Sequence, residues 1–186
     1  ILEDIEQEIA QFWPINKTIT PDDVRGERNS LKDAVISDGW PSIDDGRGKA
    51  IFVLLARGNS RDLYLDAYPG LNGARMFTLS EEGSNESAIF SIADPLGSQG
   101  EISRLVSEGY IVRSRSDSGG EEADSNDTAR RDAAFESGAH SISTDYPGKV
   151  DGLDYWVEVP NGTPSRCNPV SSPDWCTSED IEHLSQ

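Results

Sequence analysis

The chain has 186 residues, 35% hydrophobic and 27% charged, which is enough for one compact domain and not comfortably for two. Its 34 acidic against 16 basic residues leave a formal charge of −18, which repels nucleic-acid phosphates at long range and argues against a nucleic-acid partner. The longest apolar run, residues 50–56, is strand-sized and far short of the ~20 residues that span a bilayer, so no transmembrane segment is expected.

In chain order, Ile1, Leu2, Ile5, Ile9 and Phe12 recur at helical spacing with acids between them and predict an amphipathic helix stopped by Pro14. Thr20-Pro21-Asp22-Asp23 places a capping oxygen before a proline at the first helical position and acids in the first turn. A short helix follows. Ser30 can cap the next, with Leu31, Ala34 and Val35 on one face and Gly39 as its stop, before Trp40-Pro41 turns the chain. Residues 50–55 form a continuous apolar run, the mark of a strand buried on both faces of a parallel sheet. Shorter runs recur at residues 76–79, 89–92, 110–113 and 140–144. Between the last three lie helical patterns, one carrying Ile102, Leu105 and Val106 and ending at Gly109, the other carrying Ala133, Ala134 and Phe135 and ending at Gly138. That rhythm predicts βαβ units and an α/β fold. Residues 116–127 read as a polar loop, and 155–159 as a terminal extended segment. The organisation expected is a single domain over 1–186, with a helical lead-in at 1–49, βα units at 50–146 and a carboxyl-terminal extension at 147–186.

That extension holds Cys167 and Cys176 around a Pro-rich loop. A disulfide is the simplest reading, with free thiols in a reducing cell as the alternative; no neighbouring His or further Cys suggests a metal site. Acceptor sequons at Asn16, Asn85, Asn126 and Asn161 point the same way, toward an oxidising, extracellular home with N-glycosylation where the pathway provides it. Ile1-Leu2-Glu3-Asp4-Ile5 has no feature of a signal peptide, so such a segment is expected upstream or already removed.

In a parallel sheet the chemistry sits just past the carboxyl ends of the strands. That rule selects Arg57 and Asn59, then Arg113, Arg115 and Asp117, then Thr144, Asp145 and Tyr146. Arg113 and Arg115 are two apart and share one side of a strand, where guanidinium groups can fork a phosphate or, alternatively, pair with Asp117 and Asp145. The only histidines, His140 and His183, stand before a strand and in a polar tail, places unsuited to general acid–base work.

Several strings are more specific. Ile19-Thr20-Pro21-Asp22-Asp23-Val24-Arg25-Gly26, Gly39-Trp40-Pro41-Ser42, Arg47-Gly48-Lys49-Ala50-Ile51-Phe52-Val53-Leu54, Gly109-Tyr110-Ile111-Val112-Arg113-Ser114-Arg115, Asn126-Asp127-Thr128-Ala129-Arg130-Arg131-Asp132-Ala133-Ala134, Ser143-Thr144-Asp145-Tyr146 and Arg166-Cys167-Asn168-Pro169 resemble, in order, the blocks of the Ca²⁺-dependent phosphoinositide phospholipase C-like family. The resemblance implies a TIM (βα)8 barrel of the phospholipase C-like phosphodiesterase type, with this chain as its carboxyl-terminal half. It implies that the catalytic histidine pair and most Ca²⁺ ligands come from early barrel strands, so that no catalytic or metal residue is expected in this segment. The amino-terminal half is then the expected partner, as a separate chain or an upstream segment. Arg113, Asp145 and Tyr146 match family blocks at strand ends and are expected to bind a phospholipid or other phosphodiester.

The chain departs from the family pattern at Ala56-Arg57, where an acidic residue followed by Asn is usual, and at Ala93-Asp94-Pro95, where Asn-Asp-Pro is usual. These departures favour, as the alternative, a non-catalytic extracellular binding or structural protein on a degenerate barrel. A glycerophosphodiesterase on the same barrel is a third, smaller reading.

Overall fold

Acids interleaved with apolar residues make α1 (Leu2–Phe12) an amphipathic helix, and Pro14 lies just past its end, where its ring cannot continue the ladder. The structure, a computed structural model, describes residues 2–161 and 164–182; Ile1 of the expected apolar stripe and His183 lie outside the described residues. The chain forms two compact units, Ile1–Phe90 and Ser91–Gln186.

In the first unit α1 is anchored through a charged residue. Glu6 is buried, and its carboxylate accepts the Tyr64 hydroxyl and, at 3.1 Å, the Arg75 amide. Next, α2 (Pro21–Arg25) opens with the predicted cap in its reciprocal form. The Asp23 amide donates to Thr20 Oγ1 at 3.3 Å while the Thr20 amide donates to the Asp23 carboxylate at 2.8 Å, an arrangement that stabilises a helix start by about 1 kcal/mol. Ser30 caps α3 (Leu31–Ser37) through the Asp33 amide at 3.0 Å, and Leu31, Ala34 and Val35 are buried as their spacing predicts. Two helices escape the apolar pattern. One is α4 (Ile43–Gly46), a single turn capped by Ser42. After β1 (Phe52–Leu54) comes the other, α5 (Asn59–Ala67), whose buried residues are Arg61 and Tyr64 rather than an aliphatic stripe.

β1 pairs in parallel with β2 (Met76–Thr78), Phe52 opposite Met76 and Leu54 opposite Thr78. β2 is buried throughout, but β1 is only half-buried and Leu55 beside it is 58% exposed. Burial on both faces, expected for the first apolar run, is therefore not what this strand has; one side of it is uncovered.

β3 (Ile89–Ser91) carries the chain into the second unit. There follow α6 (Pro95–Ser107), β4 (Ile111–Arg115), α7 (Glu121–Ser125), α8 (Ala129–Glu136), β5 (Ser141–Ser143) and, past the cystine, α9 (Ser178–Glu182). The sheet order is β3-β4-β5, and β4 pairs in parallel with β5, Arg113 opposite Ser141 and Arg115 opposite Ser143. Helices α6 and α8 both pack on β4. They bury Ile102, Leu105, Val106, Ala133 and Ala134 with Val112 and Ser114 of the strand, each large aliphatic contributing about 1.5–3 kcal/mol. The strand alternates, so Ile111, Arg113 and Arg115 stand half-exposed on its other face.

The segment 116–127 is not all loop, because α7 forms within it. Residues 153–159 belong to no helix or strand, and the Val157 amide ties them to the Tyr146 carbonyl at 2.8 Å. Cys167 and Cys176 form the expected disulfide, with Cα atoms 6.0 Å apart. The architecture is mixed α/β with parallel sheets, and among the described residues no helix is long and apolar enough to cross a membrane.

Candidate functional site

The ends of β4 and β5 meet around one carboxylate. Asp117 is fully buried, and it accepts the Thr144 hydroxyl at 2.6 Å, the Asp145 amide at 2.9 Å and the Ser116 hydroxyl at 2.8 Å. Three donors satisfy the oxygens of a side chain taken out of water, which would otherwise be costly to bury. Thr144 is held in turn, since its oxygen accepts the Tyr146 amide at 2.9 Å. Tyr155, also fully buried, donates its hydroxyl to the Ser116 carbonyl at 2.9 Å and packs edge-on against the Tyr146 ring at 5.5 Å. Burial, reinforced by the Asp117 charge, pushes the Tyr155 phenol up to about 12. Asp117 is thus a framework group that fixes the positions of Asp145 and Tyr146.

The two arginines of β4 share a face, as their spacing predicts, but have different partners. Arg115 reaches the exposed Asp145 carboxylate at 3.3 Å. Arg113 makes no ion pair among the described residues; its guanidinium donates only to Ser91 Oγ, at 3.3 Å. A half-exposed guanidinium with no carboxylate on it has N–H groups able to receive an anion. Of the pairing partners open to these arginines in the sequence, Asp145 takes Arg115, while Asp117 takes neither.

A brace missed by sequence reasoning runs beside this centre. Arg130 donates to Glu122 at 2.7 Å and to Asp94 at 3.0 Å, linking the loop after β3 to α7 and α8. Burial alone would raise Glu122, but the Ser118 amide and the Arg130 guanidinium outweigh it and hold the carboxyl below its usual range. Gly120, with φ 92°, lies so close to Tyr146 that a Cβ there would come 3.3 Å from the phenol oxygen. The signal for the brace was the Arg130-Arg131-Asp132 string, whose partners lie too far along the chain to be read locally.

Other expected positions are elsewhere. Arg57 and Asn59 belong to the first unit, both exposed, at the turn into α5. His140 Nδ1 accepts the Val112 amide at 3.3 Å at the amino-terminal end of β5, a structural role, and burial lowers its basicity. Asn16, Asn85, Asn126 and Asn161 are all exposed.

Ca²⁺ takes six to eight oxygen ligands. Around β4 and β5 the carboxylates are committed: Asp117 to three donors, Asp145 to Arg115, Glu122 and Asp94 to Arg130. Among the described residues no group of three or more His, Cys, Asp or Glu is placed to hold a metal ion. The described residues do not by themselves fit a Ca²⁺ centre.

Comparison with known proteins agrees with the resemblance of the sequence blocks. No curated protein and no solved structure matches the chain. The family profile described as Ca²⁺-dependent phosphoinositide phospholipase C matches residues 1–169, taking in both parallel sheets, the Asp117 centre and the cystine's first half. The chain belongs to the Ca²⁺-dependent phosphoinositide phospholipase C family.

Proposed function

We propose that this chain is the carboxyl-terminal half of a TIM barrel in a secreted phospholipase C-like phosphodiesterase that cleaves a phosphodiester such as phosphatidylinositol. Arg113, Asp145 and Tyr146 form one wall of its substrate pocket. The observation that carries this reading is Arg113: a cation without a carboxylate partner among the described residues, on the strand face that α6 and α8 leave uncovered. As a ring hydroxyl attacks phosphorus and the glycerol oxygen leaves, negative charge builds on the non-bridging oxygens, where a fixed guanidinium is worth most. Asp145 and Tyr146, held in place through Asp117 and Thr144, orient the headgroup.

The histidine pair and most of the Ca²⁺ ligands come from the amino-terminal half, whether a separate chain or an upstream segment. Physical reasoning supports such a partner, since β5 is an edge strand of its sheet and β1 is half-exposed, and uncovered strands invite association. The disulfide and the exposed sequons support secretion. The test is the native mass of the purified particle beside the denatured masses of its chains, with and without reductant. A second polypeptide or an amino-terminal extension bearing two histidines and acidic ligands is expected; a lone chain that stays monomeric contradicts the proposal.

Ala56-Arg57 and Ala93 favour a second reading, a non-catalytic binding or structural protein on the same framework. Ala93 offers only its backbone carbonyl, which accepts from Arg130 at 3.4 Å. Ca²⁺-dependent release of a phosphorylated headgroup by the purified protein excludes this reading.

A further inference from the structure

The second unit contains a cleft of about 350 Å³ between α8, β5 and the carboxyl-terminal segment that leads into the cystine. It lies along the face of β5 carrying His140, Ile142 and Thr144, whereas Arg113 and its opposite number Ser141 occupy the other face. Its volume falls in the range of small-molecule sites. The walls are built by long-range bonds: the Asn168 side-chain amide donates to the Gly138 carbonyl at 2.7 Å, and Arg166 donates to the Phe135 carbonyl.

The composition of this cleft is unlike the rest of the molecule. In a chain with 34 acidic residues, no Asp or Glu among the described residues lines it. Phe135, Ile142, Val157 and Val159 supply an apolar floor, and its charged or titratable members are Arg166 and His140. The Arg166 guanidinium lies over the Phe135 ring, 5.1 Å from the centroid, and among the described residues it has no carboxylate partner. Stacking fixes the plane of the fork and leaves its remaining N–H groups for a ligand. His140 Nδ1 is occupied by the Val112 amide, so the neutral ring carries its proton on Nε2 as a donor.

We propose that this cleft is a second binding site, separate from the phosphodiesterase face, that takes an amphipathic monocarboxylate: an apolar chain on Phe135, Ile142, Val157 and Val159, and a carboxylate on Arg166 with His140 beside it. A carboxylate suits one planar fork, whereas a phosphate dianion calls for more positive charge than the cleft offers.

The probe is octanoate, titrated into the complete protein and followed by calorimetry and by methyl-resolved NMR. Saturable binding is expected, with the Ala139, Val157 and Val159 methyl signals shifting, and with octan-1-ol at least tenfold weaker than octanoate. Arg166→Gln is expected to weaken octanoate at least tenfold, while Arg28→Gln, at an exposed pair with Asp38, leaves it unchanged. Absence of saturable binding, equal affinity for octanol, shifts confined to other residues, or an unaffected Arg166→Gln each overturn the proposal. If Arg166→Gln fails to fold, the octanol comparison and the methyl map on the parent protein still decide it. Because every readout is binding, the outcome is independent of phosphodiesterase activity.

Discussion

The Thr144 hydroxyl stands 2.6 Å from the Asp117 carboxylate, 27 residues away in sequence, and this contact joins the ends of two neighbouring parallel strands. Everything proposed for Asp145 and Tyr146 depends on it, because those residues follow Thr144 directly and the Asp145 amide is bound to the same carboxylate.

Asp117→Ala should therefore be costly. It leaves the Thr144 hydroxyl and the Asp145 amide without their acceptor in a part-buried site, a loss of about 2–4 kcal/mol. Denaturant unfolding measures it. A loss under about 0.5 kcal/mol, the usual size for a surface substitution, shows that Asp117 is not the framework group described.

The arginines of β4 should separate by readout. Arg113→Gln should change stability by no more than about 0.5 kcal/mol and lower kcat/KM on a phosphodiester by about 10²-fold. Arg115→Gln removes only a half-exposed pair with Asp145, worth about 0–1 kcal/mol, and should affect turnover less. Equal effects of the two on turnover contradict the assignment of the anion site to Arg113.

Tyr155 sets a pH dependence at the alkaline end. Its phenol ionises at about 12 in the folded protein against an ordinary 10.0, so between those values the unfolded chain binds fewer protons. Stability thus falls as pH rises through that window, and is fully retained below 10. Tyr155→Phe should flatten this fall while costing about 1 kcal/mol at neutral pH, where the Ser116 carbonyl loses its donor. Glu122 acts at the acid end with the opposite sign. Held below its ordinary 4.5, it contributes stability above that pH that is lost as pH drops, and Glu122→Gln should reduce the slope there. Stability curves against pH check both.

Gly138 has φ 79°, and a Cβ there would lie 2.6 Å from Val170 Cγ2. Gly138→Ala should destabilise by about 2–4 kcal/mol, combining left-handed strain with overpacking. Adding Val170→Ala should return about 1 kcal/mol by removing the closest methyl. No recovery in the double variant means the steric part is absent. Replacing both cysteines with serine frees a loop of sequence separation 9, and a loss of about 2.5 kcal/mol is expected from loop entropy.

Much of this fold was legible because local chemistry states it. The oxygens of Thr20 and Ser30 announce helix starts, apolar runs separated by helical spacing announce parallel strands, and the two cysteines bracket a Pro-rich loop with no helix or strand pattern. What escaped depends on distant partners. Helix α5 buries Arg61 and Tyr64 instead of an aliphatic stripe, and Tyr64 makes sense only against Glu6, 58 residues away. Asp117 sits in a polar, acid-rich stretch that reads as solvated, and only the return of the chain at Thr144 buries it. The pairing of Arg115 with Asp145 was open in the sequence, and that Arg113 has no ion-pair partner among the described residues was not visible until the partners of the neighbouring acids were known. Arg166 and His140 are 26 positions apart in the sequence, and nothing in the spacing marks them as walls of one cleft.

The measurement that bears most directly on the central claim is release of water-soluble inositol phosphate from phosphatidylinositol vesicles by the purified protein, with and without Ca²⁺, for the parent and for Arg113→Gln. Turnover that requires Ca²⁺ and drops about 10²-fold in the variant is the predicted result. No turnover from an intact particle, or turnover indifferent to Arg113, contradicts the placement of this chain in the wall of a phosphodiesterase pocket.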